Sequence, residues 1–392
     1  MIEPVVIGNA RLALGDCRGI LRTLPAESVD SIVTDPPYEL GFMGKAWDGT
    51  GIANDVGMWR EVLRVLKPGA HLLAFSGSRT YHRMVCAIED AGFEIRDQIM
   101  WLYGSGFPKS LDVPKAIDKA AGARGHDGVG FNAAGVGASN GGSVFRSDHP
   151  EYVRPQGVTE AARQWQGWGT ALKPAHEPIV VARKPLIGTV AANVLAHGTG
   201  ALNIDGCRVG TTDEWQPSTR GASDSIGTFR TGERTTEQHA LGRWPANVIL
   251  DPEAGAMLDE QSGFSKSPTT TGRGAGGQHG ITSPRGAQGT VPAPGDSGGA
   301  SRFFYCAKAA KRDRGEGNVH PTVKPTDLMR YLVRLVTPPG GTVLDPFTGS
   351  GSTGRACALE GMQFIGCELD PAYVVIACRR IEDAQRQPRL IA

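Results

Sequence analysis

In the first hundred positions the apolar residues fall into short runs that switch between strand-like and helical spacing, which predicts strands and helices in alternation. Arg11 to Leu14 reads as a strand ending at Gly15-Asp16. Ile20, Leu21 and Leu24 mark a helix closed by Pro25, and Val29 to Thr34 reads as a second strand running into Asp35-Pro36-Pro37-Tyr38. Trp59, Val62, Leu63 and Leu66 share a helical face, and Pro68-Gly69 is expected to end that helix before a third strand, His71 to Phe75. A helix from Thr80 to about Ala91 and a strand around Ile99 to Tyr103 complete a block that argues for a mostly parallel sheet covered by helices.

The texture changes from Gly104. Residues 122 to 145 are rich in Gly, Ala and Asn without periodicity, which predicts a long mobile loop. Order returns at Trp165-Gln166-Gly167-Trp168, and Pro178 to Arg183 reads as another sheet strand. Residues 188 to 300 hold only apolar islands such as Asn193-Val194-Leu195 and Trp244 to Ile249, and Gln261 to Ala300, mostly Gly, Ser, Thr and Pro, reads as disordered unless bound. After Ser301 a helix from Thr326 to Val336 stops at Pro338-Pro339-Gly340-Gly341. A strand into Asp345, a helix from Ser352 to Glu360, a strand from Phe364 to Glu368 and a final helix capped by Asp370-Pro371 follow. This closing unit holds the strands that the opening block lacks, so the sheet reads as circularly permuted.

The resulting division is 1–104, first part of the core; 105–164, flexible insert; 165–187, core strand; 188–300, an inserted region with a disordered-looking tail; and 301–392, second part of the core. The length of 392 residues allows a large core, and a net charge of +1 confines any nucleic-acid footprint to a local patch. Seven cysteines without a C-x-x-C pair read as reduced thiols of a cytoplasmic protein, and no metal site is expected. No apolar stretch approaches membrane-spanning length.

Two motifs carry chemistry. The prolines of Asp35-Pro36-Pro37-Tyr38 stiffen the turn, so that the Asp35 carboxylate and the Pro36 carbonyl converge as acceptors on an exocyclic amine. Tyr38 would stack an extruded base. An ordinary Pro-rich turn fits the same residues. Gly349, Gly351 and Gly354 stand in G-x-G-x-x-G register, with Glu368 about 20 positions on. Such a loop at a helix N-terminus holds an anion, the carboxylate of S-adenosylmethionine or the phosphate of a dinucleotide, while Glu368 takes ribose hydroxyls. A nicotinamide-dependent oxidoreductase therefore stays open beside a methyltransferase, although the permuted order leaves no second mononucleotide half.

TDPPY, HPTVKP at His320 to Pro325 and LDPFTGSGSTG at 344 to 354, in that order, resemble the beta group of amino-methylating DNA methyltransferases. Residues 10 to 103, 168 to 187 and 301 to 381 all read like that family's core, and WGTALKPAHEPIVVARKPL, GTGALNIDGCRVG and SRFFYCAKA resemble a phage and prophage subgroup. The resemblance implies a permuted class I methyltransferase fold, a mainly parallel α/β sheet flanked by helices with an inserted target-recognition region. It also implies S-adenosylmethionine as cofactor and double-stranded DNA as partner, and it allows a homodimer.

In residue terms, the resemblance implies that Asp35, Pro36, Pro37 and Tyr38 orient the target amine. Asp345, Phe347, Gly349, Ser350 and Gly351 would line the methionine end of the cofactor, Glu368 its ribose and Asp16 its adenine, while Thr322 and Lys324 would close over it. Asp35 at the first motif position points to adenine N6 over cytosine N4. Of DNA contacts, Arg302, Lys308, Lys311, Arg312, Arg314, Lys324, Arg330 and Arg334 outnumber Asp313, Glu316 and Asp327 between 301 and 334, which suggests a phosphate-binding strip. Arg208 and Arg243 are candidate base readers, and Phe42 and Trp47 could cover a flipped base.

Overall fold

The computed structural model describes residues 3–41, 46–108, 110–123, 156–210, 242–266, 297–308, 313–315 and 317–387, with backbone alone at 46 and 47. The strands are β1 Val5–Ile7, β2 Ala10–Leu14, β3 Val29–Thr34, β4 Leu66–Phe75, β5 Glu94–Leu102, β6 His176–Arg183, β7 Val248–Leu250, β8 Ser265–Lys266, β9 Ser297–Gly298, β10 Tyr305–Cys306, β11 Thr342–Asp345 and β12 Gln363–Glu368. The helices are α1 Cys17–Leu21, α2 Val56–Val65, α3 Tyr81–Asp90, α4 Val113–Ala120, α5 Glu160–Gln164, α6 Val190–His197, α7 Pro252–Ser262, α8 Thr326–Val336, α9 Ser352–Glu360 and α10 Pro371–Arg386. None is long and apolar enough, among the described residues, to cross a membrane.

Among the described residues, ten strands form one sheet in the order β1-β2-β12-β11-β3-β4-β6-β5-β7-β10, while β8 and β9 pair separately. Only β1 and β6 run antiparallel to their neighbours in the large sheet. Parallel strands between two helical layers must be apolar on both faces, and this explains the unbroken hydrophobic runs. Val33, Leu73, Val343 and Val181 face a core shared with α8, α9 and α10, and Ile32, Leu72, Leu344 and Val180 face the core of α1, α2 and α3. The chain leaves β11 for β12 on one side, whereas β3 leads to β4 on the other. The carboxyl ends of β11 and β3 therefore flank the point where strand order reverses, which is where open α/β sheets bind ligands.

Several boundaries differ from the pattern-based expectation. Pro68 and Gly69 do not separate α2 from a strand at His71. They lie inside β4, where Val29 pairs with Leu66 and Ser31 with His71, so extra residues bulge out of the ladder. Gly69 has φ +78°, and a Cβ there would collide with Asn193 Nδ2. The island at Asn193 is part of α6, and its buried member is the polar Asn193. Its amide donates to the Pro68 and Thr199 carbonyls (2.9 and 2.8 Å) and accepts from Ile187 N (3.0 Å). The strand expected at Ile99 begins at Glu94, and β7 brings part of 188–300 into the main sheet.

Residues 103–175 form a second compact unit. Its described part is organised around the buried Asp118 of α4, whose carboxylate accepts from Val158 N, Thr159 N and Thr159 Oγ1 at 2.7–2.9 Å. Thr159 in turn caps α5. The expected loop at 122–145 lies outside the described residues apart from its first two positions, as does 267–296 of the low-complexity tail.

Asn193→Ala would strand the Thr199 carbonyl and the Ile187 amide, and would leave the Pro68 carbonyl held by Thr199 Oγ1 alone. Unfolding in urea should show a loss of about 1–3 kcal/mol, the cost of buried polar groups left unpaired.

Candidate active site at the reversal of strand order

The two motifs meet at the ends of β3 and β11 through Asp345. This carboxylate is 2% exposed. It accepts from Thr34 Oγ1 at 2.6 Å, Thr353 Oγ1 at 2.7 Å and Phe347 N at 3.1 Å, so it ties together the end of β3, the glycine loop and the first turn of α9. Burial raises its pKa to about 6, against the lowering pull of these hydrogen bonds. The expectation that Asp345 lines a cofactor thus meets an inward-facing side chain with both oxygens engaged, and it is the loop it shapes that fronts the site.

In that loop Gly349 and Gly351 have φ +52° and +80°. A Cβ on Gly351 would lie 2.9 Å from the Ala377 Cα, so the loop can approach α10 only without a side chain. Glu368, at the end of β12, accepts from Gly349 N at 2.7 Å and from Asp370 N at 2.8 Å. Asp16 caps α1 and pairs with Arg18 at 2.6 Å, an exposed pair whose hydrogen bond and charge lower the Asp16 pKa. Phe347 packs half-buried on the core of α1 and α2. Ser350 is buried, and its hydroxyl accepts from Arg380 Nη1 at 2.8 Å. Arg380, on α10, also donates to the Asp313 carbonyl at 2.7 Å, and burial lowers its pKa to about 10. His320 packs against Tyr373 and would lie 3.0 Å from a Cβ on Gly349. Thr322 is exposed, and its N–H points to His320 Nδ1.

The turn after β3 is held just as firmly. Glu39, directly after Tyr38, has φ +56°, a strained value for a residue with a side chain. Asp48 accepts from the N–H groups of Glu39 and Leu40, and Glu39 Oε2 accepts from Gly51 N at 2.8 Å, which fixes the conformation. Thr80 donates to the Tyr38 carbonyl at 2.7 Å. Pro36 is buried and Pro37 half-buried.

Lys324 departs from its expected place over the cofactor loop. Its ammonium is buried against the turn after β3, 2.8 Å from Asp35 Oδ2, 3.0 Å from the Tyr38 hydroxyl and 3.2 Å from Glu177 Oε2. It sits 4.8 Å from the Phe75 ring centre and 5.3 Å from that of Tyr38. Tyr38 donates to Glu177 Oε2 at 2.9 Å. Burial alone would lower the Lys324 pKa, but the charges of Asp35 and Glu177 outweigh it and hold the ammonium above its ordinary value. Burial, then the same two carboxylates, drives the Tyr38 hydroxyl well above its ordinary value. Asp35 Oδ1 is buried and has no partner among the described residues. Glu177 and Arg380 were missed by motif reading. Glu177 lies in an apolar strand, and only its place beside Pro178 in the run ending at Arg183 set it apart.

The expected DNA contacts change most. With Lys324 buried against the turn after β3, and with Arg330 and Arg334 bound to Glu360 at 2.7 Å each, the strip from 301 to 334 loses three of its cations. Lys311 and Arg312 lie outside the described residues, Arg302 donates to the Gly298 and Gly299 carbonyls, and Arg314 to His320 O. Arg208 is bound to Asp205 at 2.7 Å and Arg243 to the Arg302 carbonyl at 3.0 Å, so neither guanidinium is held free for base reading. Phe42 and the Trp47 side chain lie outside the described residues.

Residues 29–379 match the family model for the N6/N4 DNA methylases. The chain belongs to this family. Its relatives include the type II methyltransferases M.XycI of Xanthomonas campestris pv. cyanopsidis and M.Cfr9I of Citrobacter freundii, 44% and 46% identical over 100 residues, which cover 21% of this chain and 33% of each relative. The DNA adenine methyltransferase YhdJ of Escherichia coli K12 is 40% identical over 65 residues, 17% of this chain and 22% of that protein. The chain thus spans a third or less of the length of these relatives. Solved structures similar to it include a DNA modification methylase of Thermus thermophilus complexed with S-adenosyl-L-methionine, with a TM-score of 0.42, 18% identity and coverage of 97% and 96%. PvuII DNA methyltransferase, cytosine-N4-specific, gives a TM-score of 0.44 with 15% identity over 99% and 89% of the two chains. At these scores the assignment rests on the family match.

A buried acid with a raised pKa binds its proton more tightly in the folded chain, so its contribution to stability falls as pH rises from its ordinary value to about 6. Urea unfolding at stepped pH should show the stability of wild type relative to Asp345→Asn decreasing from about pH 4 to pH 6 and levelling above.

Proposed function

We propose that this chain moves a methyl group from S-adenosylmethionine to the N6 amino group of adenine in duplex DNA, on a base turned out of the stack. The observation that carries this reading is Asp35 Oδ1, a buried acceptor without a partner among the described residues at the switch point, on a turn that several hydrogen bonds hold in place. A buried acceptor left open costs stability unless a ligand donor completes it, and an exocyclic amine is such a donor. Asp35 would take one N–H and the Pro36 carbonyl the other, which turns the nitrogen lone pair toward the methyl donor. Tyr38, its hydroxyl fixed by Glu177 and Lys324, would offer its ring to the base.

The glycine loop fits the cofactor. Gly349 and Gly351 keep side chains off the N-terminus of α9, where backbone N–H groups favour a carboxylate. Glu368 would exchange loop N–H groups for ribose hydroxyls, and Asp16 would face the adenine once released from Arg18, a step of small cost for an exposed ion pair. When bound, S-adenosylmethionine would supply a methyl group from its sulfonium, the C–S bond breaking with its electron pair left on sulfur as the N–C bond forms, so positive charge develops at the nitrogen beside Asp35 until one N–H proton is lost. Family membership sets aside the nicotinamide-dependent reading. Adenine is favoured over cytosine by Asp35 at the head of the motif, and the recognition role of 188–300 belongs to the same proposal.

Incubation of the protein with unmethylated duplex DNA and methyl-labelled S-adenosylmethionine, followed by nucleoside mass spectrometry, should place the label in N6-methyladenine. Label in N4-methylcytosine would move the target base, and cofactor binding without label in DNA would overturn the reading in favour of a non-catalytic binder. Asp35→Ala should lower turnover by about 10²–10³-fold, the scale of losing one transition-state hydrogen bond, while equilibrium binding of S-adenosylmethionine stays largely unchanged.

A further inference from the structure

The catalytic turn carries more charge than amine recognition needs. Asp35 and Glu177 both lie within 3.2 Å of a single ammonium, that of Lys324, which is 8% exposed. The ammonium's three donors have three acceptors, Asp35 Oδ2, Glu177 Oε2 and the Tyr38 hydroxyl, while the Phe75 and Tyr38 rings lie beside it. Two carboxylates this close in a buried site cannot both stay ionised without a counter-charge, and one would otherwise keep a proton. A protonated Asp35 would present a donor where the amine requires an acceptor.

We propose that Lys324 is a positioning residue that works through its charge: it lets Asp35 and Glu177 stand together as carboxylates, which keeps Asp35 Oδ1 open to the target amine and lets Glu177 hold the Tyr38 ring by its hydroxyl. Two carboxylates against one ammonium leave a single negative charge beside the nitrogen where positive charge develops. The other groups acting on this cluster are His320, whose lowered pKa makes it neutral near pH 7, and Asp345, behind Thr34. Neither supplies a cation that could stand in for Lys324. The kinetic part of the proposal rests on the methyl-transfer reading above.

The test uses Lys324→Met, Glu177→Gln and the double variant in the full-length chain. In Lys324→Met the two carboxylates share a proton, so the acid limb of the turnover–pH profile should move up by about 1–3 pH units, the effect of an adjacent opposite charge on a carboxylate. The Michaelis constant for S-adenosylmethionine should stay near wild type. The double variant leaves Asp35 as the one charged member, as in the wild-type sum, and should bring the acid limb back. A merely structural role predicts the opposite order, with the double variant no better than the single. Coincident profiles for wild type and Lys324→Met, or a double variant that keeps the shifted limb, would overturn the proposal.

Thermal unfolding against pH gives a readout that needs no activity. A carboxylate with a raised folded pKa destabilises the fold as pH rises through that value. Lys324→Met should therefore lose melting temperature relative to wild type as pH increases, and the added Glu177→Gln should abolish that trend. If wild type transfers no methyl group, the functional reading fails while this second measurement still decides the charge pairing.

Discussion

The whole site depends on one buried carboxylate placed where the sheet changes direction. β3 and β11 are neighbours that come from opposite ends of the sequence, and no loop joins them. Asp345 reaches across to Thr34, back to Thr353 and along its own loop to Phe347. The turn that carries Asp35 and the loop that carries Gly349 and Gly351 are thereby set at a fixed separation, although 311 positions part Thr34 from Asp345 in the chain. Burial imposes a cost, visible in the raised pKa of this acid, and the three hydrogen bonds offset it.

Around this tie the two sides of the site use different physics. The glycine side works through backbone: positive φ at Gly349 and Gly351, a helix N-terminus, and a close approach to α10 that any side chain would block. The catalytic side works through side-chain charge, with Lys324, Asp35, Glu177 and Tyr38 satisfying one another and leaving one acceptor open. On the glycine side the carboxylates of Glu368 and Asp16 are held by backbone N–H groups of Gly349 and Asp370 and by an exposed pair with Arg18, respectively. The side that carries Asp35 is fixed in advance by its own ion pairs and hydrogen bonds, the arrangement that the proposed electrostatic chemistry requires.

Much of this was legible in the sequence because local pattern carries it. The helices at Thr326–Val336 and Ser352–Glu360, the strand into Asp345 and the turn after Val29–Thr34 follow from periodicity, caps and Gly/Pro punctuation. The permuted order followed from which strands were missing at the front. The failures arise where tertiary contact overrides local signal. Pro68-Gly69 reads as a helix stop, yet Asn193 and Thr199 fill the bulge and let the strand run through it. Asn193 reads as part of an apolar island, yet it is the buried polar contact of α6. Lys324 reads as surface charge next to Arg314 and Arg330, and only the fold shows that its partners lie just after β3 and on β6. Arg208 and Arg243 were chosen for what Arg can do with bases, whereas a nearby carboxylate and backbone carbonyls claim them first.

The connection between β5 and β6 has a consequence for how such a protein can diversify. These strands are adjacent and antiparallel, with Leu102 opposite His176 in the ladder. The residues between them, 103–175, thus leave and rejoin the sheet at neighbouring points, as a hairpin turn would. Among the described residues, none between 103 and 175 belongs to a strand of the main sheet. A connection that leaves and rejoins a sheet at neighbouring points tolerates changes of length at small entropic cost, while Glu177, one position into β6, stays bonded to Tyr38. Length in that connection is in this sense uncoupled from the register of the two strands it joins.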